Sequence, residues 1–415
     1  MAEILFLTNR NIYYRHYGPF INYLLNEESS VHLLHDFNHP RKGLKKDYFP
    51  HLHSVPQFNK NIQFIGYYND KNDIVNYINQ NDIQVIFSLH SYISYGINKH
   101  EINKSKWVTL QHWADNFQHG TEEVLKCDLF LSYSKFWWDS FLNSEYHLKE
   151  NSNINLPKVY HIGHPLNYLN NDLDKNLIKK KYCFLPEKKV LTYLPIGPPR
   201  GYAFENIFQK IWLAGHYSSL IPSLKWKIIK AIDRLLIFRT REKKVKEKDI
   251  IIAIKRFCLT NNFTFVIKLR AKSTCTQIMI ECADKILYDE NLYPPTITEL
   301  MHVSDITISH QSMTTFEAMA MKGYCINIDL KPVLGIMDKV HRTLFNKEWE
   351  SVLNIKNMSK EYSGSEFINE FASSSSNDFD FNEKHYDDFM LKYFSGTKPE
   401  NFEKAIDKII NLETK

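Results

Sequence analysis

Short apolar runs recur along the first third of the chain and are separated by stretches of helix length with mixed polarity. Two of these stretches, residues 20–26 and 73–81, place their apolar side chains at helical spacing. Strands that are apolar on both faces and alternate with helices predict a parallel sheet covered on its two sides. The predicted strands of this first series are residues 4–7, 31–34, 62–65, 85–88, 107–110 and 129–131.

The same alternation returns in the second half of the chain, with helices predicted over residues 298–303 and 314–321. After a serine-rich loop at 372–377, the chain ends in two further helical patterns, about 382–393 and 401–410. Two such series predict an α/β protein with two Rossmann-like parallel-sheet lobes that face a central cleft. The predicted strands of the second series are residues 190–194, 264–268, 285–288, 305–309 and 325–328.

The pattern changes near residue 165, which divides the chain into three expected units. We expect a first lobe over residues 1–165 and a second lobe over residues 166–380. The terminal helices, residues 381–415, are expected to pack back toward the first lobe.

A basic segment interrupts the second lobe as an insertion at about residues 203–248. Its residues 225–248 hold ten Lys or Arg against three Asp or Glu, interleaved with apolar residues at helical spacing. One interpretation is a helix that lies on an anionic membrane surface, attracted by charge and inserted through its apolar face. The alternative is an α-helical hairpin that packs on the second lobe and exposes its lysines to solvent.

The net charge and the absence of two glycine motifs disfavour several classes of protein. The 415 residues carry a formal net charge of +5, an excess too small to indicate a nucleic-acid binder, and include only 13 glycines. No G-x-G-x-x-G or G-x-x-x-x-G-K-[ST] loop is present, which disfavours classical NAD enzymes and P-loop NTPases.

The cysteine pattern and the hydropathy point to a cytoplasmic protein. The six cysteines form no C-x-x-C pair and are expected to be buried free thiols of a reducing compartment. No long apolar run occurs and no secretory signal pattern opens the chain, so we expect no membrane span.

The most specific local pattern is HQSMTTFEAMAMKG at residues 310–323, which follows a predicted strand and opens a predicted helix. Free N–H groups at a helix start, with nearby hydroxyls and the positive end of the helix dipole, form a binding site for phosphate. Glu317 lies about one turn into the helix, where its carboxylate can accept hydrogen bonds from ribose hydroxyls. The alternative is a capping box with Thr314 as N-cap and Glu317 three residues later, which needs no ligand.

The order strand, small polar loop, T-x-x-E-A-x-A-x-x-G and strand resembles the donor-binding segment of GT-B glycosyltransferases and their relatives. Those relatives include the CDP-glycerol glycerophosphotransferases and the non-hydrolysing UDP-GlcNAc 2-epimerases. Residues 299–300 and 304–305 resemble the approach to this loop in surface-polysaccharide transferases. The resemblance implies that the loop holds the phosphates of a nucleotide-activated sugar and that the glutamate binds its ribose. The donor-binding residues implied here are His310, Ser312, Thr314, Thr315 and Glu317.

Two further segments resemble GT-B segments in the expected order. Residues 161–165, His-Ile-Gly-His-Pro, resemble the G-x-P segment that ends the first lobe and leads into the hinge. Residues 191–199 resemble the first strand and loop of the donor lobe, which makes Gly197 a donor-site candidate.

A cationic trio follows another predicted strand of the second lobe. Residues 265–272 stand where glycerophosphotransferases carry a K-P-H-P motif, but they contain no histidine. Lys268, Arg270 and Lys272 would there neutralise a pyrophosphate, the arginine through a bidentate contact and the lysines as point charges. The alternative is three surface charges at a strand terminus.

The first lobe supplies the candidate base. Residues 107–115 resemble the Q-H segment that faces the cleft in surface-polysaccharide transferases, and His112 directly follows a predicted strand. Imidazole titrates in the range that suits a general base for an acceptor hydroxyl, and Asp115 would orient the histidine or replace it. Structural packing is the alternative role for His112.

The loop after the first strand, residues 8–19, is rich in aromatic and basic side chains. Aromatic faces stack on sugars or bases, and an arginine reads a phosphate or a carboxylate. The alternative is an ordinary exposed loop with tyrosines packed beneath it. The acceptor-binding candidates are Tyr14, Arg15, His16 and, after a later strand, His90.

The residues do not favour a metal site or a separate cofactor. No His, Cys, Asp or Glu group stands at a recognised metal-ligand spacing, and the GT-B resemblance implies metal-independent chemistry. The absence of D-x-D from the strand-end loops of the first lobe disfavours a GT-A transferase.

The predicted activity is transfer of a sugar from a nucleotide-activated donor to a bacterial surface glycan or a lipid-linked acceptor. We expect a cytoplasmic enzyme, with binding to the inner face of the membrane as an open alternative, and no nucleic-acid partner. Three other functions stay open: transfer of a polyol phosphate from a CDP-linked donor, 2-epimerisation of a sugar nucleotide, and a non-catalytic two-lobed binding subunit.

Overall fold

The structure is a computed structural model of the chain. It describes residues 2–8, 13–36, 58, 60–62, 64–111, 125–142, 155–168, 173–195, 245–269, 275–288, 294–310, 312–329, 353–396 and 400–411.

The first lobe is built on a seven-stranded sheet. Its strands are β1 (Glu3–Thr8), β2 (Ser30–Asp36), β3 (Phe64–Tyr68), β4 (Val85–Ser88), β5 (Lys106–Leu110), β6 (Leu129–Ser132) and β7 (Lys158–His161). All pair in parallel, in the order β3-β2-β1-β4-β5-β6-β7, so the direction of winding reverses between β1 and β4. The strand β7 was not among the predicted strands because its sequence KVYH lacks a continuous apolar run, and it forms an edge of the sheet.

The second lobe is built on a six-stranded sheet. Its strands are β8 (Lys189–Tyr193), β9 (Phe263–Lys268), β10 (Lys285–Leu287), β11 (Ile306–Ser309), β12 (Tyr324–Asp329) and β13 (Ser359–Ser363). They are again all parallel, in the order β10-β9-β8-β11-β12-β13, with the reversal between β8 and β11. The polar sequence SKEYS of β13 explains why its pattern did not predict a strand.

Helices cover the sheets and follow the chain order. Their bounds are α1 (Tyr14–Asn26), α2 (Lys71–Gln80), α3 (Lys135–Leu142), α4 (Lys175–Lys181), α5 (Glu247–Thr260), α6 (Gln277–Cys282), α7 (Thr296–Val303), α8 (Met313–Ala320), α9 (Gly364–Glu370), α10 (Tyr386–Phe394) and α11 (Glu400–Asn411). Helix α1 begins earlier than predicted and runs through Gly18 and Pro19, both buried. Burial of most of its surface against the core of the first lobe compensates the weak helix propensity of these two residues.

The serine-rich loop is more ordered than its composition suggests. Residues 371–373 and 376–379 form short 3₁₀ turns, and the Ser375 hydroxyl caps the second turn by accepting from the N–H of Asn377. The predicted insertion at 203–248 lies outside the described residues up to residue 244, so its membrane and hairpin interpretations both stay predictions. The long helix α5, which follows it, was not predicted.

The terminal helix α11 crosses back onto the first lobe, as predicted. The Phe402 ring lies 4.4 Å from the ring of Phe20 and 4.0 Å from that of Tyr168, measured between centroids. With Ile406 and Ile409, it belongs to the same buried cluster as strand β1. The chain therefore closes the first lobe with its last described helix.

A second apolar cluster joins the two lobes. Trp137 of α3 lies 5.3 Å from the ring of Phe316 in α8, and both rings contact Tyr393 of α10 at 5.7 and 5.4 Å. The indole N–H of Trp137 donates to the carbonyl of Tyr393 at 3.0 Å. Helix α10 thus bridges the first and the second lobe. We call these three residues the bridging cluster.

The cysteines are all free thiols, as expected, but not all of them are buried. Cys258 and Cys325 are buried, Cys127, Cys275 and Cys282 are partly buried, and Cys183 is exposed. The expectation of burial was wrong for Cys183, which lies with positive φ in the turn after α4 and not within an apolar element. Among the described residues, no helix combines the length and the apolar character that a bilayer crossing requires.

Candidate functional site

The turn from β11 into α8 lies at the carboxyl edge of the second sheet. Ser312 is the N-cap of α8 and its hydroxyl accepts from the N–H of Thr314 at 3.4 Å. The predicted capping box of Thr314 and Glu317 is therefore wrong, because the helix begins earlier, at Met313. The hydroxyl of Thr315 is buried and bonded to that of Ser309 at 3.0 Å. Ser312, only partly buried, has the most accessible hydroxyl of this turn.

His310 fixes the turn through hydrogen bonds to the two strands that flank β11. Its Nδ1 donates to the carbonyl of Ile328 at 3.1 Å, which leaves Nε2 to accept from the Tyr193 hydroxyl at 3.0 Å. These bonds tie together β8, β11 and β12 at the point where the strand order reverses. In open α/β sheets, ligands bind outside the carboxyl ends of the strands at such a reversal. The turn therefore has both the place and the fixed geometry of a ligand site.

Glu317 faces the first lobe. Its carboxylate oxygen Oε2 contacts the guanidinium of Arg15, which stands in the first turn of α1, after β1. The other oxygen, Oε1, lies 3.3 Å from Nε2 of His164, directly after the last strand of the first sheet. The side chains of Arg15, Glu317 and His164 are 12%, 1% and 1% exposed. We call these three residues the cross-lobe cluster.

Aromatic and imidazole rings surround the cross-lobe cluster. The ring of His164 lies 4.5 Å from that of Tyr133 and 6.0 Å from that of His16. Burial lowers the pKa of both histidines well below the ordinary value, and the nearby Arg15 charge lowers them further. The same burial raises the pKa of Tyr133. At neutral pH the site is therefore one ion pair with two neutral imidazoles and one neutral phenol.

Gly163 fixes the position of His164. Its φ is +80°, and a Cβ there would stand 2.8 Å from the carbonyl oxygen of Phe394 at the end of α10. Only glycine fits this conformation next to this backbone, so the Gly-His-Pro segment delivers the imidazole to the junction between the lobes.

Gln111 anchors the segment that carries the predicted base. It is fully buried, and its side-chain carbonyl accepts from the N–H of Tyr133 at 2.9 Å and from the Ser132 hydroxyl at 3.0 Å. The next residue, His112, lies outside the described residues, as does Asp115. Their catalytic roles stay predictions, but the chain enters this segment from a fixed point at the carboxyl edge of the first sheet.

The other acceptor-side candidates separate into different environments. Tyr14 is buried and its hydroxyl is 2.6 Å from Nε2 of His35, beneath α1. His90 is half-buried after β4; its N–H donates to the Ser88 hydroxyl at 3.1 Å, and its carbonyl accepts from the indole of Trp107 at 2.9 Å. His90 and Arg15 therefore stand at the two strands between which the first sheet reverses, whereas Tyr14 belongs to the core beside them.

Of the cationic trio, the structure describes only Lys268. Lys268 ends β9 and is buried. Arg270, Lys272 and the donor-loop candidate Gly197 lie outside the described residues, so their contacts with a donor stay predictions. Within the described ranges, no group of His, Cys, Asp or Glu has the arrangement of a metal site.

The sequence did not single out the individual roles of His164, Tyr133 and Gln111. His164 belongs to the Gly-His-Pro pattern that predicts the hinge, and residues 129–131 predict a strand without a role for the residues that follow it. The available signal was position: each of these residues follows or ends a strand of the first sheet. That rule alone would have placed them at the cleft edge.

Comparison with solved structures finds proteins of similar fold, whereas comparison of sequences finds no match. No protein-family model matches the sequence, and no curated protein matches it significantly. Among solved structures, one variant of the wall teichoic acid polymerase TagF superposes with a TM-score of 0.59 at 12% identity, over 100% of this chain and 90% of that chain. A UDP-GlcNAc 2-epimerase from Neisseria meningitidis bound to UDP-GlcNAc gives a TM-score of 0.55 at 10% identity, over 99% of this chain and 100% of that chain. The S. aureus MnaA structure with UDP gives 0.51 at 11% identity, over 99% of this chain and 97% of that chain.

Proposed function

We propose that this GT-B-fold chain is an enzyme that binds a nucleotide-activated donor in its second lobe and transfers the donor's sugar to a glycan or lipid-linked acceptor. The premise is the shared fold: the similar structures reach from TagF to UDP-GlcNAc 2-epimerases, over nearly the whole chain. The names of those neighbours refer to teichoic acid, UDP and UDP-GlcNAc. A phosphate-bearing nucleotide is therefore the ligand class that the fold favours.

One observation carries the proposal. The β11–α8 turn, with its N-cap Ser312, stands at the strand-order reversal of the second sheet, and Glu317 from the same helix reaches the first lobe. Helix-start N–H groups and the Ser312 hydroxyl supply donors for a diphosphate. Lys268 ends β9, which is separated from β11 by β8, and adds a positive charge at the same edge of the sheet.

The proposed reaction is displacement at the anomeric carbon of the donor. His112 or Asp115 takes the proton of the acceptor hydroxyl, and the nucleoside diphosphate leaves. The developing charge on the leaving phosphate is stabilised by the amides at the start of α8 and by Lys268 and Arg270. The proposed stabilisation uses helix-start amides and side-chain cations and invokes no metal ion.

A second candidate function is transfer of a polyol phosphate from a CDP-linked donor, favoured by the likeness to TagF. The segment 265–272 lacks the histidine of the glycerophosphotransferase motif that it resembles, which counts against this reaction. The released nucleotide separates the two: a UDP-sugar donor leaves UDP, whereas transfer of a polyol phosphate from a CDP-polyol leaves CMP.

The first test is binding of UDP-, GDP-, CMP- and CDP-linked donors by calorimetry, followed by chromatography of the nucleotide released. We expect one class to bind, and Ser312→Ala to weaken its Kd by about tenfold through the loss of a hydrogen bond to a charged group. Ser363→Ala is the matched control, because Ser363 caps α9 in the same way. It should leave the Kd unchanged. If the folded protein binds none of these donors, the transferase proposal is wrong and a non-catalytic two-lobed binding subunit is the remaining interpretation.

A further inference from the structure

The carboxylate proposed to bind the ribose is already occupied. Both oxygens of Glu317 contact side chains of the first lobe, one the guanidinium of Arg15 and the other the imidazole of His164. The Glu317 side chain is 1% exposed. A ribose hydroxyl therefore cannot reach this carboxylate while both contacts persist.

The two partners of Glu317 are carried by different elements of the first lobe. His164 precedes the short turn Pro165–Tyr168, which packs against the core of the first lobe through Tyr168. Arg15 is carried by α1, at the strand-order reversal of the first sheet. Arg15 and His164 are therefore both carried by the first lobe, and a motion that separates the lobes removes both from Glu317.

Apolar contacts between the lobes lie beside the imidazole of His164. The bridging cluster of Trp137, Phe316 and Tyr393 joins them through α10, whose Phe394 packs 5.6 Å from the His164 ring. Within the described part of the chain, the ion pair that joins the two lobes is that of Arg15 and Glu317, and the neutral His164 approaches the same carboxylate. The contact of Arg15 with Glu317 is therefore the charged contact that can hold the lobes together.

We propose that Arg15 is a cross-lobe latch, which holds the substrate-free lobes together through Glu317 and must give up that carboxylate for the nucleotide to bind. The competition rests on the proposed function, while the latch itself rests on the ion pair. Separating a buried pair leaves a desolvated charge unless water or another partner replaces it, so the latched state resists opening. A nucleotide that selects the unlatched state binds with an apparent affinity reduced by the fraction of unlatched molecules.

The two partners of the latch predict opposite effects on nucleotide affinity. Arg15→Gln removes the competitor and keeps the Glu317 carboxylate, so UDP or the donor nucleotide found above should bind about tenfold more tightly if nine-tenths of the wild type is latched. Glu317→Gln also breaks the latch but removes the charged acceptor for the ribose, so the same nucleotide should bind more weakly. A merely structural ion pair would shift both affinities in the same direction.

Small-angle scattering without nucleotide tests the latch independently. Arg15→Gln and Glu317→Gln should each raise the radius of gyration above that of wild type, and Arg15→Lys, which keeps the charge, should restore it. Arg256→Gln, an arginine on the exposed face of α5, is the matched control and should change nothing. If Arg15→Gln does not fold, Glu317→Gln and Arg15→Lys still report on the lobe separation.

The outcomes separate the two proposals. Expanded Arg15→Gln with tighter nucleotide binding supports both, whereas an expanded variant that binds no nucleotide, like the wild type, rejects the proposed function but keeps the latch. Unchanged dimensions of both variants overturn the latch. Weaker binding by Arg15→Gln overturns the competition, because the arginine would then be a ligand of the nucleotide.

Discussion

At the scale of single residues, the surroundings decide which chemistry a side chain can perform. Glu317 reads in the sequence as a helix residue available to a ligand, but the fold buries it against Arg15 and His164. His310 reads as a turn residue, but both its ring nitrogens are bonded within the second sheet. Gly163 shows the same dependence in the backbone, because its need for glycine comes from an element that is distant in sequence.

Gly163→Ala should destabilise the protein by about 3 kcal/mol, since it combines a positive φ with a clash against the Phe394 carbonyl. Gly396→Ala is the matched control: its φ is also positive, at +93°, but nothing lies within 4 Å of the added Cβ. That variant should lose only about 1 kcal/mol, the cost of the left-handed conformation. Urea unfolding of both variants measures the difference, and equal losses would show that the close approach to α10 carries no penalty.

At the scale of elements, the first and the last described helices, α1 and α11, pack against each other in the first lobe. Helix α1 packs between the sheet and α11, which explains why it tolerates Gly18 and Pro19 and why most of its surface is buried. Helix α8 shows the converse: its start is set by the Ser312 cap, while its packing is set by the bridging cluster.

Phe402→Ala should destabilise the protein by about 3–5 kcal/mol, because the ring is buried between Phe20 and Tyr168 and its removal leaves a cavity. Leu391→Ala is the control on the neighbouring helix α10, where the side chain is 68% exposed, and should cost less than about 0.5 kcal/mol. Thermal and urea unfolding measure both. A loss of less than about 1 kcal/mol for Phe402→Ala would contradict the docking of α11 on the first lobe.

At the scale of the whole molecule, the junction between the lobes combines an apolar bridge with a small buried group of charges. His16 and His164 are neutral at this junction because burial and the Arg15 charge together lower the pKa of both. The Glu317 carboxylate, 3.3 Å from His164, opposes this lowering, but its ion pair with Arg15 offsets its charge.

The unfolding free energy should therefore fall as the pH is lowered from about 7 to about 5. The unfolded chain takes up protons near the usual histidine pKa of 6.5, whereas the folded chain takes them up only at lower pH, so stability is complete above that value and declines below it. Urea unfolding across this range measures the slope, and His164→Gln should reduce it. Stability that is constant, or that rises toward acid, would show that these histidines are charged in the folded protein.

The apolar runs predicted most of the sheet strands because a parallel strand buried on both faces must be apolar throughout. Strands β7 and β13 were not predicted because they lie at the sheet edges, where a strand is covered less completely and keeps polar residues. The motif at 310–323 located the turn of the candidate site to within a residue, since small polar residues and a helix start have a local signature. The start of α1 was missed because a buried face outweighs the local preferences of glycine and proline.

Local pattern thus determined the two α/β series, the strand-end positions of the polar residues and the place of the β11–α8 turn, because these depend on neighbours in the chain. Only the tertiary structure decided that Arg15, His164 and Glu317, which are far apart in sequence, share one buried ion-pair cluster. Desolvation and Coulomb interaction depend on distance in space, and three residues from two lobes acquire that distance only when both sheets and the bridging helix are in place.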